Sequence, residues 1–74
     1  MWREGCIRIN NRIYRFWVKH YEEPSSFGIN EGRISKLTIK RDGVEVCNYD
    51  RGWDIKPADD ETECALAILL ESYN

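Results

Sequence analysis

Seventy-four residues, 42% hydrophobic and 32% charged, make one domain without a large internal cavity, because so short a chain buries only about 60% of the surface its unfolded form exposes. The formal net charge is -2 with a pI of about 5.3, which excludes the global basic field that drives non-specific nucleic-acid binding. Apolar residues are spread through the chain and no long single-sign block interrupts them, so wholesale disorder is excluded as well.

The first apolar run, Trp2 to Ile9, and the second, Arg12 to Tyr21, flank Asn10-Asn11, two residues that tolerate the left-handed conformation of a tight hairpin turn. With a two-residue loop the cross-strand partners are Ile7 with Tyr14, Gly5 with Phe16, Arg3 with Val18, Cys6 with Arg15, Glu4 with Trp17 and Trp2 with Lys19. Ile9, Ile7, Tyr14, Phe16 and Val18 then share the face predicted to be core, with the Phe16 ring over the bare backbone of Gly5. The segment from Glu22 to Gly32 reads as an ordered loop anchored by Phe27 and Ile29.

A second hairpin, Arg33 to Arg41 and Val44 to Asp50, turns at Asp42-Gly43. A straight register places Leu37, Ile39, Val44 and Val46 inside and pairs Lys40 with Glu45, Thr38 with Cys47 and Lys36 with Tyr49 outside. Pro57 suits a first helical turn, and Asp59, Asp60 and Glu61 follow where carboxylates complement the helix dipole. The helix is expected over about residues 57 to 72, with Thr62, Ala65, Leu66, Leu69, Leu70 and Tyr73 as its buried stripe. Cys64 and Ile68 fall on the opposite side and offer a contact for a weak homodimer. The predicted architecture is α+β: a four-stranded antiparallel meander with one C-terminal helix on one face, ββββα, as a single domain over residues 1 to 74.

Residues 1 to 56 carry all eleven Lys and Arg, while residues 57 to 74 hold five acids (Asp59, Asp60, Glu61, Glu63, Glu71) and no base. This reads as a solvated acidic helix face. Cys6, Cys47 and Cys64 form no CxxC pair, and with the lone His20 they give no zinc pattern, so neither metal nor cofactor is expected. The odd thiol count fits a reducing compartment. The N-terminus has no basic flank leading into an apolar stretch, and no run approaches the ~20 apolar residues that span a bilayer. The expected location is cytoplasmic, away from membranes.

No motif for an activated nucleophile or a phosphate-binding loop occurs, so a catalytic role is not expected. Asp50 and Asp54 flank Arg51, which reads more simply as a turn held by its own ion pair than as an acid and base. Three binding readings remain. The helix-free face is predicted to carry Trp2, Ile13, Trp17 and Tyr49 among Arg8, Arg15, Lys19, Lys36 and Lys40. Such a face can meet a protein partner, or it can stack weakly on single-stranded nucleic acid, a reading disfavoured by the acidic net charge. Its rings can equally cover basic stems, Lys36 over Tyr49 and Lys19 over Trp2. In the third reading, Ser25, Ser26 and Asn30 join Arg33 and Arg51, which clamp an anionic or nucleotide-like small molecule while Trp53 or Tyr49 stacks on its ring. Trp53 also has a structural alternative, wedged beside Ile55 between sheet and helix start.

The strings Tyr21-Glu22-Glu23-Pro24-Ser25-Ser26-Phe27-Gly28-Ile29, Gly32-Arg33-Ile34-Ser35-Lys36-Leu37 and Asn48-Tyr49-Asp50-Arg51-Gly52-Trp53-Asp54 resemble a family of very short proteins of unknown function from Firmicutes and their tailed phages. In that family a tryptophan near the start, P-S-x-F-G-I, G-R-I-S-K-L and N-Y-D-R-G-W-D recur. The resemblance covers nearly the whole chain and brings no assigned activity. It implies a bacterial or phage-infected cytoplasm, a setting in which binding of a host protein, including counter-defence, is consistent. The leading expectation is a small binding module for a protein partner, acting through the open sheet face and the strand-end loops, with Arg51 the residue least explained by folding.

Overall fold

The computed structural model describes all residues, Met1 to Asn74. Two of the three tight turns form as their residues dictate. Asn10 and Asn11 both take positive φ, 50° and 66°, as do Asp42 and Gly43, 53° and 77°, the geometry of two-residue hairpin turns. They join β1 (Trp2–Ile9) to β2 (Arg12–His20) and β3 (Ile34–Arg41) to β4 (Val44–Asp50). At the third turn Arg51 itself adopts the left-handed conformation, with φ 55°, although glycine follows it. After it a fifth strand, β5 (Trp53–Ile55), pairs with β4, so the antiparallel sheet has five strands in the order β1-β2-β3-β4-β5 rather than the expected four. The helix α1 (Asp60–Tyr73) packs across β1, β2 and β3.

The β1–β2 register is the one expected from Asn10-Asn11, from Trp2 opposite Lys19 to Ile9 opposite Arg12. A Cβ on Gly5 would approach the Phe16 ring to 3.0 Å, so glycine there lets the ring lie on the strand. The β3–β4 register departs from expectation. It is straight for Arg41 with Val44 and Lys40 with Glu45, then slips by one residue so that Ile39 faces Cys47, Leu37 faces Tyr49 and Lys36 faces Asp50. A bulge therefore sits at Val46, and every later side chain on β4 changes face. Cys47 and Tyr49, expected outside, are buried; Val44, expected inside, precedes the bulge and keeps its pairing with Arg41, but is exposed at the start of its strand. The physical cause is tertiary: the Val46 carbonyl turns out of the ladder to accept a hydrogen bond from the Ala58 amide at 3.0 Å.

That same bond delays the helix. Pro57 and Ala58 stay outside the helix, and Asp59 caps it by accepting from the Thr62 amide at 2.8 Å and the Thr62 hydroxyl at 2.7 Å. The expected buried stripe is otherwise observed: Thr62, Ala65, Leu66 and Leu69 are buried, Leu70 and Tyr73 half-buried. They close on Tyr14, Phe16, Val18, Ile34, Leu37 and Ile39. The loop between β2 and β3 covers what the helix does not reach. Ile29 is buried in it, and the Phe27 carbonyl accepts from the Tyr49 hydroxyl at 2.7 Å.

Asn74 fastens this loop to the helix end, accepting from the Ile34 amide at 2.9 Å and donating to the Ile29 carbonyl at 3.0 Å. A Cβ on Gly32 would lie 2.3 Å from the Asn74 side chain, and one on Gly28 would lie 2.0 Å from the Gly32 carbonyl oxygen. Both glycines are thus required by close approach. Of the helix acids, Asp60, Glu63 and Glu71 are exposed as expected, but Asp59 and Glu61 turn to the sheet. Arg41 pairs with Asp59 at 2.8 Å and donates to the Tyr14 hydroxyl at 2.9 Å, while that hydroxyl donates to Glu61 at 2.5 Å.

Candidate binding face

Alternation along the strands decides which side chains reach the helix-free face. From β1 it receives Trp2, Glu4, Cys6 and Arg8; from β2, Ile13, Arg15, Trp17 and Lys19; from β3, Lys36, Thr38 and Lys40. The bulge substitutes Asn48 and Asp50 for the expected Cys47 and Tyr49 on β4. Tyr49, predicted to stack there with Lys36, is 7% exposed on the opposite side, and Lys36 instead lies 3.9 Å from Asp50.

The face has two unlike halves. Towards β5 its polar groups satisfy one another: the Thr38 hydroxyl donates to Asn48 Oδ1 at 2.7 Å, and Asn48 Nδ2 donates to Asp54 at 3.0 Å. Towards β1 they do not. The β2–β3 register sets Arg15 directly opposite Lys40 and Lys19 directly opposite Lys36, with Trp17 and Thr38 between them. None of Arg15, Lys19 and Lys40 joins any of the four ion pairs of the molecule. The rings carry the cations instead. Trp17 has Arg15 at 5.8 Å on one side and Lys40 at 5.6 Å on another, and Lys19 lies 5.9 Å from the Trp2 ring, the pairing expected from the sequence.

Trp2 and Trp17 line two adjoining recesses. One, of about 310 Å³, is completed by Thr38, Lys40 and Glu45; the other, of about 250 Å³, by Arg3 and Glu4. Their floor is aromatic and their rim charged, an arrangement that can seat an apolar or planar group beside an anion. Trp2 is 56% exposed and available to such a group.

The residues predicted at the strand ends are dispersed. Arg33 donates from Nε to the Asn74 main-chain oxygen at 3.3 Å, which ties it to the helix end. Arg51 is largely exposed, 4.0 Å from Asp50, and its amide donates to the Ser35 carbonyl at 2.9 Å. Trp53, expected beneath the helix start, packs edge-on against Tyr49 at 5.1 Å because β5 is the edge strand beyond β4 while α1 lies over β1 to β3. None of the three surface recesses is lined by Arg33, Arg51 or Trp53. Ser25 is occupied within its own loop, its hydroxyl accepting from the Phe27 amide at 3.1 Å.

The titratable groups follow their surroundings. Burial pushes the Cys47 thiol up to about 12, which leaves it a packing residue. Burial also lowers His20, assisted by the charge of the N-terminus and of Arg3, which favours the neutral form of the ring that packs against Tyr73 at 5.2 Å. The Thr62 hydroxyl and then Arg41 hold the Asp59 carboxyl well below the usual range, and the Tyr14 hydroxyl lowers Glu61. Cys6 and Cys64 are exposed on β1 and α1, far apart in environment from Cys47, and no disulfide forms. No group of three or more His, Cys, Asp or Glu side chains is placed to hold a metal ion, and no helix is long and apolar enough to cross a membrane.

Sequence reasoning finds Trp2, Trp17 and Lys19 on this face because the turn at Asn10-Asn11 sets their register, and Lys36 from the hairpin at Asp42-Gly43. Thr38, Glu4 and Glu45 are not singled out as site residues, and the like-charge pairs across β2 and β3 are invisible until the long connection between those strands is resolved in space. No curated protein and no solved structure matches the chain. A family does: from residue 1 to residue 74 the chain matches, and belongs to, the family described as a domain of unknown function, DUF7678.

Proposed function

We propose that this chain is a non-enzymatic binding module that takes an acidic protein segment on the helix-free face of its sheet. The observation that carries the reading is the pairing of Arg15 with Lys40 and of Lys19 with Lys36 around Trp17. Like charges directly opposite on neighbouring strands are destabilising, and three of these four cations form no ion pair, Lys40 included although Glu45 stands opposite it on β4. The counter-charge is supplied from outside. A segment with Asp or Glu residues flanking one aromatic or apolar side chain fits, the ring entering the Trp2 and Trp17 recess while the carboxylates meet Arg15, Lys19 and Lys40. In the bacterial or phage-infected cytoplasm that the sequence resemblance implies, the partner is a host protein, and modulation or counter-defence is the role such binding would serve.

A second reading, weak binding of single-stranded nucleic acid, is favoured by one feature only: Trp17 lies between two cations and can stack on a base. The net charge of -2 opposes it, since a polyanion is repelled at long range. An anionic small molecule held by Arg33, Arg51 and Trp53 has less support, because these three share no recess.

Titration of the tryptophan fluorescence with an acidic peptide built around phenylalanine, and separately with a mixed single-stranded oligonucleotide, separates the readings. The peptide is expected to bind with an affinity that Trp17→Ala removes. Oligonucleotide binding that falls steeply with salt, without peptide binding, would replace the first reading with the second. Neither ligand binding at millimolar concentration would sink both.

A further inference from the structure

The strand β1 is an outer edge of the sheet, eight residues long, without proline and without a bulge in its pairing to β2. Such an edge presents an unbroken row of unpaired backbone groups. Which residues present them follows from the ladder. Met1 and His20 exchange both hydrogen bonds, at 2.9 and 3.0 Å, so with a period of two it is Arg3, Gly5, Ile7 and Ile9 that bond to β2. Trp2, Glu4, Cys6 and Arg8 turn their N–H and C=O groups outward.

We propose that this edge pairs with β1 of a second copy, antiparallel, about a twofold axis at Cys6. Charge selects both the partner and the register. With the axis at Cys6, Glu4 of each copy lies directly opposite Arg8 of the other, so two ion pairs form on the helix-free face. Moving the axis to Gly5 sets Glu4 against Cys6, and moving it to Ile7 sets Glu4 against Asn10; each forfeits both pairs. Parallel pairing in register would set like against like. Neither Glu4 nor Arg8 is committed elsewhere: no ion pair of the molecule contains either, and Arg8 only donates to Asn11 in its own turn at 3.3 Å. The opposite edge, β5, is three residues long and offers no comparable ladder.

Pairing of this kind makes one ten-stranded sheet with both helices on one side. The two Trp2 and Trp17 recesses lie on the other side, next to the joint. The inference needs no ligand and stands apart from the identity of the acidic partner.

Sedimentation equilibrium of the whole chain, without ligand, tests it. The wild-type chain is expected to dimerise reversibly, and Glu4→Arg or Arg8→Glu alone, each of which creates two like-charge contacts, to weaken the dimer by about ten-fold or more. The double exchange, Glu4→Arg with Arg8→Glu, restores the pairs and the dimer, which separates loss of contact from loss of fold. In a Cys64→Ser background a short bis-maleimide is expected to join Cys6 to Cys6 in the wild-type and doubly exchanged chains and not in the single variants. A chain that stays monomeric at millimolar concentration, or a dimer that the single reversals leave intact, would overturn the proposal.

Discussion

The two faces of one sheet are built on opposite rules. On the helix side the polar groups are partnered within the chain, His20 Nε2 excepted: Tyr14 both donates to Glu61 and accepts from Arg41, Arg41 holds Asp59, and Tyr49 reaches the Phe27 carbonyl. On the other side Arg15 and Lys40 lie against Trp17 and Lys19 against Trp2, none of the three within ion-pair distance of a carboxylate, although Glu4 and Glu45 stand nearby. Tyr14 and Arg41 of the first set and the cations of the second alternate along the same strands, β2 and β3. The difference teaches that backbone pairing fixes where these cations stand, and in the proposed reading their compensation comes from beyond the chain.

This contrast can be broken by substitutions on either side. The largest effect is expected in the core: Leu69→Ala should cost about 2 to 5 kcal/mol in urea unfolding, because Leu69 is 1% exposed and a cavity would remain beneath the helix. In a chain this small that is a large share of the total stability. A loss under about 1 kcal/mol would mean that helix and sheet are packed less closely than described. Removing one hydroxyl costs less. Tyr49→Phe should lose about 0.5 to 1.5 kcal/mol, since it leaves the Phe27 carbonyl without its donor where the loop covers β4; an unchanged midpoint would argue that Tyr49 points outward after all.

Acid should unpick the polar network of the covered face. Asp59 and Glu61 both have folded pKa values depressed below their ordinary ones. Their contribution is therefore fully present above the unfolded values, about 4 for these carboxyls, and is lost as pH falls through the folded ones. The midpoint temperature should fall as pH drops below about 4.5, and Asp59→Ala, which removes the helix cap, should flatten that dependence while lowering the midpoint by a few degrees at neutral pH. A stability that rises on acidification would contradict these contacts.

How much of this was legible beforehand differs between the hairpins. The β1–β2 register follows from Asn10-Asn11 alone, because a two-residue turn fixes every pair, and Trp2, Trp17 and Lys19 came to the open face with it. The same logic at Asp42-Gly43 holds for only two pairs before Val46 bulges. No local signal marks that bulge, since its cause is an amide twelve residues further on, Ala58. Tyr49 was misplaced for this reason. Pro57 misled about the helix start because the Asp59 cap outweighs it, and Trp53 was misplaced because a three-residue edge strand is too short to show an alternation. Arg51 keeps part of its question. It holds a left-handed backbone with φ 55° beside Ser35, which explains its amide, while its guanidinium has only the exposed ion pair with Asp50 at 4.0 Å.

The measurement that bears most directly on the central claim uses Arg15→Glu. This exchange converts a like-charge cross-strand pair with Lys40 into an opposite-charge one, so the account predicts unfolding stability raised by about 0.2 to 1 kcal/mol and binding of the acidic peptide abolished in the same preparation. A variant less stable than the parent, or one equally stable that still binds the peptide with undiminished affinity, would contradict the claim that these cations are placed for an outside partner.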